Sequence, residues 1–188
     1  MNKSQLIVGI TGTNGAGKGT VVEILQQKDF EHLSVGGYLM EEAIKAGWAE
    51  NRESQIRMGN KLREKYGTGY IMEQLYEKAL KMGNKVVIES IRNEGEVTTL
   101  RAKGKFFLLA VNADRELRYE RIVKRGGLRD KVSYEEFSKS EDGEMTSTEV
   151  NKQNLFRCME LADYTIENVG TMGELRQKVE EMLKIIEK

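Results

Sequence analysis

Not one of the 188 residues is proline. Helix ends and turns must therefore be marked by Gly, Asn, Asp and Ser, and the 19 glycines are the main punctuation. The one cysteine, Cys158, excludes a disulfide within the chain and suits a reducing cytoplasm. The one histidine, His32, excludes a histidine pair as metal site or acid–base relay, and beside a buried strand it reads as structural. Charge of neither sign is in excess. With 30 Lys and Arg against 30 Asp and Glu, no global field draws the chain to nucleic acid or to a membrane surface. No apolar run approaches a membrane span. The short one in MNKSQLIVGI leads straight into glycines, as a first buried strand does and a signal peptide does not. These absences leave the expectation of a soluble cytoplasmic protein with one hydrophobic domain over 1–188.

Short β-rich runs alternate with longer stretches of helical spacing. Strands are predicted at 5–11, 32–35, 85–90, 105–111 and 163–168. A helix follows the first strand to about Lys28, and the pattern from 37 to 82 is helical with breaks near Gly47 and Gly67. Further helices are predicted at 94–102, 114–124, 134–141, 144–160 and 172–187. Such alternation implies a mostly parallel sheet covered on both faces, with ligands beyond the carboxyl ends of its strands. The stretch 126–148, with almost no aliphatic content, reads as an exposed insertion, and KSEDGE at 139–144 as a solvated turn. Cys158, in an apolar pattern with Leu155 and Met159, reads as core.

The segment GITGTNGAGKGT, Gly9 to Thr20, nearly matches the phosphate loop G-x-x-x-x-G-K-[ST]. Gly12, Gly17 and Lys18 fit. Gly19 stands where the hydroxyl belongs and Thr20 comes one place late. A strand before it and an amphipathic helix after it supply the required context. Backbone N–H groups along Gly12, Thr13, Asn14, Gly15, Ala16, Gly17, Lys18, Gly19 and Thr20 would curl around phosphate oxygens, with Lys18 reaching the β- and γ-phosphates.

GAGKGT resembles the loop of adenylate kinase and the other nucleoside monophosphate kinases of the P-loop superfamily. That resemblance implies a three-layer α/β/α fold with a five-stranded parallel sheet in the order 2-3-1-4-5. It also implies a helical acceptor-binding region (about 36–82) and a short lid (about 126–148). In that family the late threonine lies by the α-phosphate, so Thr20 would meet the metal only indirectly, and Mg²⁺ is held by phosphates and waters.

Four further blocks carry the resemblance. HLSVGGYLMEEAIKAG looks like the acceptor segment: Ser34 and Gly36 match, Gly37 replaces an aspartate, and Met40 replaces the arginine that grips the acceptor phosphate, which argues against a standard AMP site. A plain strand–turn–helix junction is the other reading of these residues. VVIESIRNEGEV implies Glu89 as the acid that orders waters around Mg²⁺ and Arg92 as a ligand of the acceptor phosphate. Glu89 as a turn cap and Arg92 as a surface charge is the alternative. RYERIVKRGGLRD resembles the helix leading into the lid, where Arg121 and Arg125, four apart on one face, would neutralise the transferring phosphoryl group, with Arg129 as a third charge. A solvated arginine face is the alternative. The turn from Asn168 through Gly170 to Thr171 would pass over adenine, with Thr171 also able to cap the last helix. Trp48 and Tyr66 flank the acceptor region and either stack a base or pack.

Archaeal and bacterial proteins related to adenylate kinase or similar to dephospho-CoA kinase share the third block, and the chain looks closer to them than to adenylate kinase itself. The function implied is transfer of the γ-phosphoryl group of ATP, with Mg²⁺, to a nucleoside monophosphate or similar nucleotide, by a monomer or homodimer. Dephospho-CoA kinase-like activity, or a nucleotide-dependent switch without a small acceptor, are the alternatives.

Overall fold

The computed structural model describes residues 5–127, 131–145, 149 and 152–187. Five strands, β1 (Leu6–Gly12), β2 (Glu31–Ser34), β3 (Lys85–Glu89), β4 (Phe106–Asn112) and β5 (Tyr164–Glu167), pair in parallel in the order β2-β3-β1-β4-β5. The two-residue period of β1 decides which core each side chain joins. Leu6, Val8 and Ile10 pack with α1 (Lys18–Gln26) and α9 (Met172–Ile186) on one face. Ile7 packs on the other with Val86, Ile88 and Leu108, beneath α2 (Val35–Lys45), α3 (Arg52–Tyr66), α4 (Tyr70–Ala79) and α5 (Glu94–Lys103). This is the expected three-layer α/β/α arrangement. Both faces of the sheet are covered, which is why its strands read as nearly unbroken apolar runs.

Helix ends are marked without proline, as the composition requires. Ser34, Asn51, Asn93 and Thr171 each accept a backbone N–H at the start of α2, α3, α5 and α9, contacts worth about 1 kcal/mol apiece. The expected breaks fall at Gly47 and Gly67, both with positive φ.

Two helices differ from expectation. The turn predicted at 139–144 is instead helical: the helix predicted at 134–141 runs on as α7 (Tyr134–Met145), which follows α6 (Arg115–Arg125) and buries Phe137 and Glu141. Within the helix predicted over 144–160, the described residues form α8 at Leu155–Glu160, where Asn154 caps a new start by accepting from the Arg157 backbone N–H. Residues 128–130, with Arg129, and 146–148 of the expected lid lie outside the described residues. Cys158 is core, and burial pushes its thiol up to about 12. Among the described residues, no helix is long and apolar enough to cross a membrane.

Candidate functional site

The carboxyl ends of β1, β3, β4 and β5 converge on the loop between β1 and α1. Two of its glycines are demanded by close approach. Gly15 (φ 81°) would place a Cβ 2.6 Å from the Arg118 carbonyl, and Gly17 (φ 99°) would place one 2.4 Å from Asn168 Nδ2. The loop is tied to the strand ends as well. Asn168 donates from Nδ2 to the Ala16 carbonyl at 2.8 Å, and its backbone N–H donates to Asn112 O at 2.7 Å. Thr13 donates from Oγ1 to Asn112 Oδ1 at 3.0 Å. Helix α1 has neither a side-chain cap nor an acidic residue in its first turn, so its first N–H groups and positive dipole end remain available to an anion. Lys18 opens α1, and its Nζ donates to Gly12 O at 2.9 Å and Thr13 O at 2.7 Å. Burial, and then the Arg92 charge, lower its pKa to about 7 against the opposing pull of Glu89 and Glu144.

A cavity of about 700 Å³ opens over this loop. Asn14, Gly15, Gly17, Lys18, Gly19 and Thr20 line its floor, Glu89, Arg92, Arg121 and Arg125 one side, and Asn168, Gly170 and Thr171 the other. Gly12, Thr13 and Ala16 lie behind this surface as its support; all three are buried. A Cβ at Gly19 would meet no atom within 4 Å, so packing does not exclude a hydroxyl-bearing residue there. Arg121 Nη1 is buried with no hydrogen-bond partner among the described residues, a donor suited to an anion in this cavity. Glu89 is half-buried beside His32, whose Nε2 lies 3.6 Å from its Oε1. That ring first, then the Ser34 hydroxyl and the Lys18 charge, hold its carboxyl below the usual range against the effect of burial.

A second cavity of about 240 Å³ lies against the first, and Asn14, Ser90, Arg92 and Arg125 line both. Ser90 has φ 69°, an uncommon left-handed conformation for serine, so the chain turns sharply between Glu89 and Arg92. Arg92 is fixed through its backbone: its N–H donates to Glu96 Oε2 at 2.9 Å, and buried Arg63 holds Glu96 Oε1 through Nε at 3.1 Å and Nη2 at 2.6 Å. The other walls of this cavity come from α2 and α3 and include Gly36, Arg52 and Gln55. Ser34 and Gly37 line neither cavity. The Ser34 hydroxyl accepts from Gly37 N–H at 3.1 Å as the α2 cap, and Met40 is in the core. Trp48 lies under Arg57 and Lys61, and Tyr66 stacks on Tyr70, away from both cavities.

Helix α7 supplies what sequence reasoning missed. Far from being solvated, Glu141 accepts from both terminal guanidinium nitrogens of buried Arg118, and Glu144 accepts from Arg52 and Arg92. Arg118 also donates to Ala113 O at 2.7 Å and Asn14 O at 3.2 Å, joining α7 to the phosphate loop. Phe137, Glu141 and Glu144 are spaced i, i+4, i+7, the one sign in the sequence that these acids share a helix face.

The sequence pattern of the family described as an AAA domain matches residues 8–152. A UPF0200 protein of Sulfurisphaera tokodaii is 31% identical over 96% of this chain and 97% of its own length. The chain belongs to the AAA-domain family and to UPF0200. The fold agrees: TT1252 from Thermus thermophilus superposes with a TM-score of 0.64 at 22% identity, covering 98% of this chain and 97% of that one. A gluconokinase from Sinorhizobium meliloti superposes at 0.58 with 11% identity, covering 99% and 96%. This UPF0200 member thus has a kinase-like P-loop fold with the strand order expected from sequence.

Proposed function

We propose that the protein is an ATP-dependent small-molecule kinase that transfers the γ-phosphoryl group of Mg-ATP to a nucleoside monophosphate or similar nucleotide. The observation that carries this reading is the pair of adjoining cavities, one over the phosphate loop and one beside it, sharing Arg92 and Arg125 at their junction. A donor in the first and an acceptor in the second would meet there, as in-line transfer requires. Residues 36–82 then form the acceptor side and 126–148 the lid of one catalytic unit, working as a monomer or homodimer in the cytoplasm.

The residues suit the donor. Lys18 and the α1 N–H groups would hold its phosphates, Arg121 and Arg125 would neutralise the moving group, and Arg92 would orient the acceptor. Bound Mg²⁺ would supply charge neutralisation across the β- and γ-phosphates. Glu89 and Thr20 line the same cavity and could hold its waters, since Mg²⁺ keeps most of its hydration. Glu89 and Glu144 both titrate below the usual carboxylate range, which makes them poor bases for a hydroxyl acceptor. A phosphate acceptor brings an ionised oxygen and needs none. This favours a nucleoside monophosphate over dephospho-CoA.

The test is ADP release from Mg-ATP against ribo- and deoxynucleoside monophosphates, dephospho-CoA and no acceptor. Stimulation by a monophosphate is the expected result; a flat panel over a slow basal rate would replace the kinase with a nucleotide-dependent switch.

Lys18 gives this reading a pH signature. At pH 8 the free protein carries Lys18 largely neutral, because its pKa is about 7, whereas nucleotide phosphates favour the ammonium form. Binding therefore takes up a proton, and affinity should fall by up to about tenfold per pH unit above that value. Calorimetry at pH 8 in buffers of different ionisation heat should read an uptake approaching one proton. Uptake that persists in Lys18→Ala would assign the proton elsewhere.

A further inference from the structure

We propose that Arg52 and Arg92 form the seat for a phosphoryl group of the acceptor, and that Glu144 occupies this seat as an internal competitor the acceptor must displace. The inference deepens the kinase reading and rests on it for the word acceptor; the seat itself rests on geometry. The two guanidiniums reach the second cavity from different elements, Arg52 from the first turn of α3 and Arg92 from the turn after β3. Each takes a different oxygen of one carboxylate: Arg52 donates to Glu144 Oε1 and Arg92 to Glu144 Oε2. Two guanidiniums on two oxygens of one anion is an arrangement suited to a phosphoryl group, which offers each of them an oxygen.

Charge selects the ligand further. Glu144 supplies one negative charge to two guanidiniums, and Gln153 Oε1, 3.4 Å from Arg92 Nη1, supplies none. Of the other two arginines lining this cavity, Arg63, also on α3, is already neutralised by buried Glu96, and Arg125 stands at the junction with the first cavity. A phosphoryl dianion would balance the seat where a carboxylate leaves one positive charge over. Arg52 thereby replaces, from a different helix, the cation that Met40 does not provide. Phosphorylated acceptors are favoured and neutral ones disfavoured, because a neutral group could not displace Glu144.

The test reads binding without turnover. Inorganic phosphate is titrated by amide NMR into Lys18→Ala, which weakens phosphate binding at the loop, and into the same protein carrying Glu144→Gln, Arg52→Ala or Arg52→Lys, with shifts around residues 52 and 92 read apart from those of the loop. Glu144→Gln should tighten phosphate about tenfold, and Arg52→Ala should weaken it about tenfold or more, as expected for charge-assisted bonds. Arg52→Lys should recover part of that loss, and acetate should bind more weakly than phosphate. Unchanged or weaker phosphate binding in Glu144→Gln, no effect of Arg52→Ala, or acetate equal to phosphate would each overturn the seat. The kinase reading fails separately: intact phosphate binding beside a flat acceptor panel would leave the seat and remove the acceptor. Monophosphate-stimulated ADP release unaffected by Arg52→Ala would remove the seat and leave the kinase.

Discussion

Lys18→Ala should lower acceptor-dependent ADP release by at least about 10²–10³-fold, the loss seen when one preorganised donor to transition-state charge is removed. Lys18 is the first residue of α1, and two loop carbonyls fix its ammonium above the phosphate loop. Among the described residues, no other lysine lines the cavity. The arginines that do line it come from the turn after β3 and from α6, at its side rather than from the loop, and cannot take over. Lys18→Met, which keeps much of the length and loses the charge, should behave like alanine. Arg92→Ala should differ in kind, raising the acceptor KM while largely sparing acceptor-free hydrolysis. Steady-state kinetics with and without acceptor separate the two, and equal losses in both for Arg92→Ala would remove its assigned role.

Arg118→Ala should destabilise the fold by about 3–5 kcal/mol, the cost of leaving a buried charge unpaired. For a chain of this size that lowers Tm by roughly 6–20 °C. Arg118 is 4% exposed and donates to four acceptors on three separate elements, among them both oxygens of Glu141. Without it, Glu141 keeps only Arg115 among the described residues, at 3.0 Å and partly in solvent. Adding Glu141→Leu should recover much of the loss, since it removes the stranded carboxylate. Thermal unfolding of the two single variants and the double variant measures the coupling. Strictly additive losses would show that the pair is not the source of the stability.

Legibility followed the kind of signal each residue carries. The strands were readable because burial on both faces leaves unbroken runs such as Val86–Ile88 and Leu108–Val111. The phosphate loop was readable because backbone conformation fixes the spacing of its glycines. Glu89, the last residue of β3, and Arg92 in the turn after it were marked by the resemblance of VVIESIRNEGEV to a family segment, and both line the large cavity. The missed residues carry charge on helices. The arginines of RELRYERIVKR look alike in sequence, yet Arg118 is buried and Arg125 exposed. The acidic partners of Arg115 and Arg118 lie on α7, and pairing across helices leaves no mark on local hydropathy. An acidic run therefore reads as solvated until the arginines facing it are known. Arg52 was hidden for the same reason, since its role depends on a turn about 40 residues later in the chain.

The bond from Asn168 to Ala16 spans 152 residues. During synthesis the phosphate loop emerges well before the side chain that fixes one flank of it. Strands β3 and β4, which enclose β1, also come after it. Long-range closure of this kind is slow. The part of the sequence that is easiest to recognise thus reaches its working shape long after it is made, and a nascent chain stopped before residue 168 carries the motif without the bond that holds it.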